Sequence, residues 1–141
     1  MKRYSATIEI EAPPQRVWET LVDTAAYPDW DPGMVRIEGA LAPGERVSFF
    51  TKLSPDRAFP VKVTGFDPPQ KMVLTGGLPL GLFKSERTHT LTATADGTTT
   101  FHTEEIFSGL LLPIFGRTIP DLTTNFRQFA AGLKAQSERV D

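Results

Sequence analysis

Four residues in the β-rich part of the chain offer most of its chemistry: Arg87 and His89 in "KSERTHTLTATA", and Thr103 and Glu105 in "TTTFHTEEIFSG". An imidazole, a carboxylate and a guanidinium on one face can move protons or hold the polar end of a ligand. Whether they share a face depends on the turn joining the two segments. A three-residue loop with Gly97 left-handed sets Leu91 opposite Phe101, His89 opposite Thr103 and Arg87 opposite Glu105. Thr88, Thr90 and Thr92 then lie with Thr100, His102 and Glu104 on the other, wet face. A two-residue loop on Asp96-Gly97 slips the pairing by one, so that Thr92 meets Phe101, Glu86 meets Phe107 and Leu91 meets His102. The first register divides apolar from polar more cleanly and is preferred. Under the second, His89 pairs with Glu104 outside.

A charge facing an apolar interior costs on the order of several kcal/mol unless it is paired, so Arg87 and Glu105 are expected to pair. Two readings stay open. Either these residues orient a ligand's polar end, or they form a structural ion pair at a wet mouth. His89, Glu105 and Arg87 are the candidates for catalysis. Other groupings offer less. Glu104 and Glu105 are neighbours on a strand and point to opposite faces. Asp29 and Asp31, either side of Trp30, read as turn caps. His89 and His102 have no zinc spacing, and cysteine is absent, so thiolate chemistry and disulfides are excluded. No phosphate-cradling glycine loop or serine nucleophile elbow is present. No metal and no cofactor is expected.

The elements that must position these residues follow from periodicity. "YSATIEIEA" alternates, with Ala6, Ile8 and Ile10 on one side: a half-buried strand. After Pro13 and Pro14, "QRVWETLVD" carries an apolar stripe of Val17, Trp18, Leu21 and Val22 at helical spacing. A second short helix or turn is expected around Tyr27–Trp30, limited by Pro28 and Pro32. Six strands follow: "VRIEGAL", "ERVSFFTKL", "FPVKVTGF", "KMVLTGG" and the two arms of the last hairpin. "SPDRA" is expected to turn the chain, and Pro60 to mark a strand start or an edge. A long helix is expected from about Leu110 to Val140, with Leu122, Phe126, Phe129, Ala130 and Leu133 on one stripe and Pro120 kinking it or marking its start. Only this helix has enough apolar face to cover the sheet. The expectation is one α+β domain over residues 1–141: a curved seven-stranded antiparallel sheet wrapped around a long C-terminal helix, two short helices after the first strand, and an internal cavity where helix and sheet fail to match.

With 141 residues the chain is long enough for a core without staples, and its formal charge of −2 carries no nucleic-acid footprint. The N-terminus lacks a signal-peptide pattern and no apolar run has spanning length, so a cytoplasmic location without membrane insertion is expected. Monomer and dimer are both open. Trp30, stiffened by flanking prolines, roofs the cavity or plugs the gap between short helix and sheet. Leu78, Pro79, Leu80 and Leu82, in an apolar loop with Phe83 at its end, form an entrance or pack against the last helix or a partner. Phe49, Leu74, Phe101, Phe107, Leu122 and Phe126 are core positions that would also line a cavity.

The segments "IEIEAPPQRVWETLVDTAAYPDWDP", "FDPPQKMVLTGG", "DGTTTFHTEEIFSG" and "FRQFAAGLKAQSE" resemble the START / Bet v 1-like superfamily, specifically its bacterial polyketide cyclase/dehydrase-like branch. The resemblance covers the whole length. It implies a helix-grip fold with a cavity for apolar small molecules such as lipids, sterols, hormones, polyketides or quinones, and it carries over no catalytic set. The expected function is binding of an apolar or amphipathic small molecule through Trp30, Phe49, Leu74, Phe83, His89, Phe101, Thr103, Glu105, Leu122 and Phe126. Two alternatives stand beside it. One is a cyclase/aromatase-type enzyme using His89 with Glu105 or Arg87. The other is an interaction module whose apolar loop meets a protein or a membrane-bound quinone.

Overall fold

The computed structural model describes residues 1–95, 97–115 and 119–139. Within them the chain forms β1 (Lys2–Ile10), α1 (Pro14–Val22), a 3-10 turn (Thr24–Ala26), α2 (Tyr27–Trp30), β2 (Met34–Glu38), β3 (Arg46–Thr51), β4 (Ser54–Asp67), β5 (Lys71–Leu78), β6 (Phe83–Ala93), β7 (Thr99–Ser108), α3 (Leu112–Phe115) and α4 (Thr123–Ser137). The strands β2 to β7 form an antiparallel meander, and β1 joins the far edge beside β7, giving the order β1-β7-β6-β5-β4-β3-β2. The sheet curls, and α4 packs against its inner face in a helix-grip arrangement.

The last hairpin adopts the three-residue register. Leu91 lies opposite Phe101, His89 opposite Thr103 and Arg87 opposite Glu105. Gly97 is left-handed at φ +77°, and the Thr94 N–H donates to the Thr98 carbonyl at 2.9 Å. Asp96 lies outside the described residues. Along β7 every second residue is buried, namely Thr99, Phe101, Thr103, Glu105 and Phe107, so the inner face carries the polar groups expected of it.

Two expectations need correction. The C-terminal helix is not continuous from Leu110: α3 covers Leu112–Phe115 and α4 begins at Thr123. Pro120 disfavours a helical residue before it. Asp121 then accepts the Thr123 N–H at 3.0 Å and the Thr123 hydroxyl at 2.7 Å, which fixes the start of α4. Val140, the expected end, lies outside the described residues. Second, "SPDRA" is not the turn. Lys52 and Leu53 make it, and β4 already begins at Ser54. Of the two places open to Pro60, it takes the edge, and it does so inside β4. The β5 ladder begins only at Val61, opposite Gly76, so Ser54–Pro60 has β3 on one side alone. There a residue without an N–H breaks no second ladder.

The core gathers Ile10, Val17, Trp18, Leu21, Val47, Val63, Met72, Leu91, Phe101 and Leu133, with Trp18 edge-on to Phe66 at 5.2 Å between centroids. The C-terminal half of α4 is pinned. Lys134 Nζ donates to the Glu9 carbonyl at 2.9 Å and to Glu138 at 2.6 Å, and Glu138 accepts the Glu11 N–H at 2.7 Å. Arg16 Nε donates to the Ser137 carbonyl at 2.6 Å, tying α1 to the same end. Gly132 lets α4 rest directly on α2, because a Cβ there would overlap the Trp30 carbonyl oxygen. In an open helix, glycine to alanine gains up to about 1 kcal/mol. Here Gly132→Ala is expected to lower stability by about 1–3 kcal/mol in urea unfolding, as overpacking does. A gain in stability would contradict the contact.

Candidate ligand-binding cavity

The N-terminal half of α4 reaches the sheet through the rings of Phe126 and Phe129, which lie against Arg87 and His89. Between helix and sheet lies a cavity of about 360 Å³, within the range of roughly 300–1,000 Å³ usual for small-molecule sites. Leu122, Asn125, Phe126 and Phe129 line it from the helix side, and Phe49, Val61, Leu74 and Phe107 from the sheet. Its mouth lies between the projecting β3–β4 hairpin, Leu53–Phe59, and the segment Ile119–Leu122. Leu53 and Phe59 are exposed there, at 59% and 40%.

The polar groups are deep. Arg87, His89 and Glu105 line the sheet wall, and Tyr27 and Asp31 line the wall beside α2. The guanidinium of Arg87 lies against two α4 rings, with Cζ 4.2 Å from the Phe126 centroid and 4.6 Å from that of Phe129. Its Nε donates to Thr103 Oγ1 at 3.1 Å, while Nη2 is buried without a partner. His89 is sandwiched between Phe101 and Phe129, at 5.7 and 5.5 Å, and its Nδ1 has no partner. Burial, reinforced by the Arg87 charge, holds the imidazole pKa well below its ordinary value, so His89 is neutral. Burial raises the Glu105 carboxyl pKa, and Arg87 offsets this in part. Asp31 is likewise raised by burial, against the Gly33 N–H that its Oδ1 accepts at 3.1 Å and the charges of Arg87 and Lys52. Tyr27 is raised by burial and donates its hydroxyl hydrogen to the Leu21 carbonyl. Among the described residues no His, Asp and Glu side chains converge in the threes a metal site needs, and no helix is long and apolar enough to cross a membrane.

A family profile described as "Polyketide cyclase / dehydrase and lipid transport" matches residues 1–138. The chain belongs to that family. It lies in the polyketide cyclase-like branch of the START / Bet v 1 superfamily. Many solved structures share its fold, three of which illustrate the range. One is a protein from Mesorhizobium loti, 23% identical, covering 97% of this chain and 98% of its own, with a TM-score of 0.72. Another is a START superfamily protein from Mycobacterium smegmatis, 15% identical over 96% and 97% of the two chains, TM-score 0.69. The third is BexL, a di-domain ARO/CYC from the BE-7585A biosynthetic pathway, 16% identical, with 98% of this chain matching 47% of that one at a TM-score of 0.73. At these identities the likeness is one of fold. No curated protein matches the chain.

Within this family fold, the sequence-derived candidates divide. Phe49, Leu74, Arg87, His89, Glu105, Leu122 and Phe126 line the cavity. Phe101 and Thr103 do not. They are fully buried behind the wall, Phe101 against His89 and Thr103 as the acceptor for Arg87. Phe83 is also off the cavity and stacks on Phe107 at 6.1 Å. Trp30 does not roof the space. It fills the gap between α2 and α4, 4.5 Å from Tyr27 and 5.2 Å from Phe129, with Nε1 unpartnered. Leu78, Pro79, Leu80 and Leu82 are no entrance to this cavity, since none of them lines it. Their loop is held instead by backbone bonds from Leu110 to Gly81 and from Leu111 to Leu82. The expected Arg87–Glu105 ion pair does not form. Arg87 turns to Thr103 and the α4 rings, and among the described residues no carboxylate oxygen reaches it at ion-pair distance. Asp31, Tyr27, Asn125, Arg57 and Phe129 line the cavity without having been singled out for it. Asp31 was legible as a turn cap, and its second role depends on where α2 lands.

A depressed histidine pKa has a signed consequence. Above about pH 6.5 both folded and unfolded His89 are neutral; below it the unfolded chain takes up a proton that the folded one refuses. Stability therefore falls as pH drops below that point. His89→Phe, which keeps a ring between Phe101 and Phe129, is expected to lose less stability than wild type between pH 7.5 and pH 5 in urea titrations. Equal losses would contradict a buried neutral imidazole.

Proposed function

We propose that the protein binds a small apolar or amphipathic molecule in the cavity beneath the N-terminal half of α4. The observation that carries this reading is a cavity lined mainly by apolar side chains, with the polar groups of Arg87, His89, Glu105 and Asp31 in its wall. Phe49, Val61, Leu74, Phe107, Phe126 and Phe129 offer apolar surface, whose burial contributes about 25 cal/mol per Å² removed from water. Arg87, His89, Glu105 and Asp31 set the orientation of the ligand's polar end. The family description, which includes lipid transport, supports the same class of ligand.

A second reading is favoured by one pairing of groups. His89 is held neutral and offers a weak base, while burial favours the protonated form of Glu105, which can give a proton. A reactive chain folded against them would meet an acid and a base, as a cyclase or dehydratase needs. The fold is shared with a protein described as an ARO/CYC. Binding without turnover remains the preferred reading, because among the described residues of the cavity no nucleophile or base is oriented by a third residue.

Native mass spectrometry of freshly purified protein, followed by organic extraction, is expected to find a co-purifying small molecule of this class. Leu74→Trp fills the chamber from the sheet side and is expected to abolish its retention while thermal unfolding stays cooperative. Leu80→Ser, on a residue 92% exposed and away from the cavity, is expected to leave retention unchanged. Retention that survives Leu74→Trp but is lost in Leu80→Ser would overturn the cavity reading in favour of a surface interaction.

A further inference from the structure

We propose that the polar end of the cavity is built for an anionic group, so that the ligand is an amphipathic anion whose carboxylate, sulfonate, phosphate or enolate meets Arg87. This rests on the binding function proposed above and narrows its ligand. The guanidinium is fixed in place by two aromatic rings and by Thr103, with Nη2 unpartnered and no carboxylate within ion-pair distance among the described residues. An arginine cannot shed its proton to escape burial, whereas a carboxylic acid can take one up. Arg87 is therefore the permanent charge at this end. Glu105 and Asp31 are the adjustable ones, and burial favours their neutral forms. A buried guanidinium with one hydrogen bond has capacity for further charge-assisted bonds, and an anion supplies the counter-charge that the protein withholds.

The titratable groups around the site come from β4, β6, β7 and α2 with the residue that follows it. Arg87 and His89 stand on β6, Glu105 on β7, Tyr27 on α2, Asp31 just after it, and Arg57 on β4 at the mouth. Lys52, in the β3–β4 turn, acts on Asp31 at a distance. From α4 the wall receives Asn125, Phe126 and Phe129, which carry no charge. An anion seated on Arg87 lies near Glu105 and Asp31, and its binding weakens as they ionise with rising pH.

The test uses two fluorescent probes that differ by one sulfonate: 1-anilinonaphthalene-8-sulfonate and its neutral counterpart N-phenyl-1-naphthylamine. Wild-type protein near neutral pH is expected to bind the anion at least about tenfold more tightly. Arg87→Gln is expected to remove that preference, weakening the sulfonate about tenfold or more while the neutral probe changes little. Glu105→Gln keeps Arg87 in place, removes the carboxyl near the anion and is expected to tighten the sulfonate and reduce its loss of affinity as pH rises. Equal affinity of the two probes in wild type, or an unchanged ratio in folded Arg87→Gln, overturns the anion site and leaves small-molecule binding intact. If neither probe binds, the cavity reading itself fails.

Discussion

The close seat of α4 on α2 is the constraint from which the rest of the molecule follows. Gly132 allows the Trp30 carbonyl to touch the helix backbone, and the Lys134–Glu138–Glu11 bonds hold the same end of α4 to the close of β1. A straight helix fixed tightly at one end of a curled sheet must diverge from it at the other. The cavity occupies that divergence. Its helix-side lining is Leu122, just before α4, with Asn125, Phe126 and Phe129 in the N-terminal half of the helix.

Polar groups collect at the closed end for the same reason. The inner faces of β6 and β7 bring Arg87, His89 and Glu105 to the cavity wall, where the rings of Phe126 and Phe129 cover Arg87 and His89 in part. Their environment is neither core nor solvent. The imidazole is kept neutral, the carboxyls are pushed toward their neutral forms, and the guanidinium is held by rings rather than by a counterion. Both readings of function draw on this feature, one as an orienting contact and the other as an acid–base pair.

Much of this was legible in the chain itself. The alternation of β1, the turn residues between strands and the division of threonines from apolar residues in the last hairpin lead to the sheet order and to the face carrying Arg87 and Glu105. What escaped were features that depend on contacts between distant elements. "SPDRA" has turn composition, and as a strand exposed on both faces it shows no alternation to announce itself. The apolar loop at Leu78–Leu82 has the composition of an entrance, but none of its residues lines the cavity. Register correctly placed Arg87 opposite Glu105, but it could not foresee that the guanidinium would turn to Phe126 and Phe129 on α4. One neglected signal was Gly132 within "FAAGLKAQ": a glycine in a helix interior is costly, and its presence there marks a close approach.

The central claim is an unfilled space under the N-terminal half of α4, and crystals of the protein pressurised with xenon test it most directly. The account predicts xenon bound against Phe49, Leu74, Phe107 and Phe126, with the surrounding side chains unmoved. Crystals in which α4 has closed onto β3 and β5, with side chains occupying that volume and no xenon beneath the helix, would contradict it.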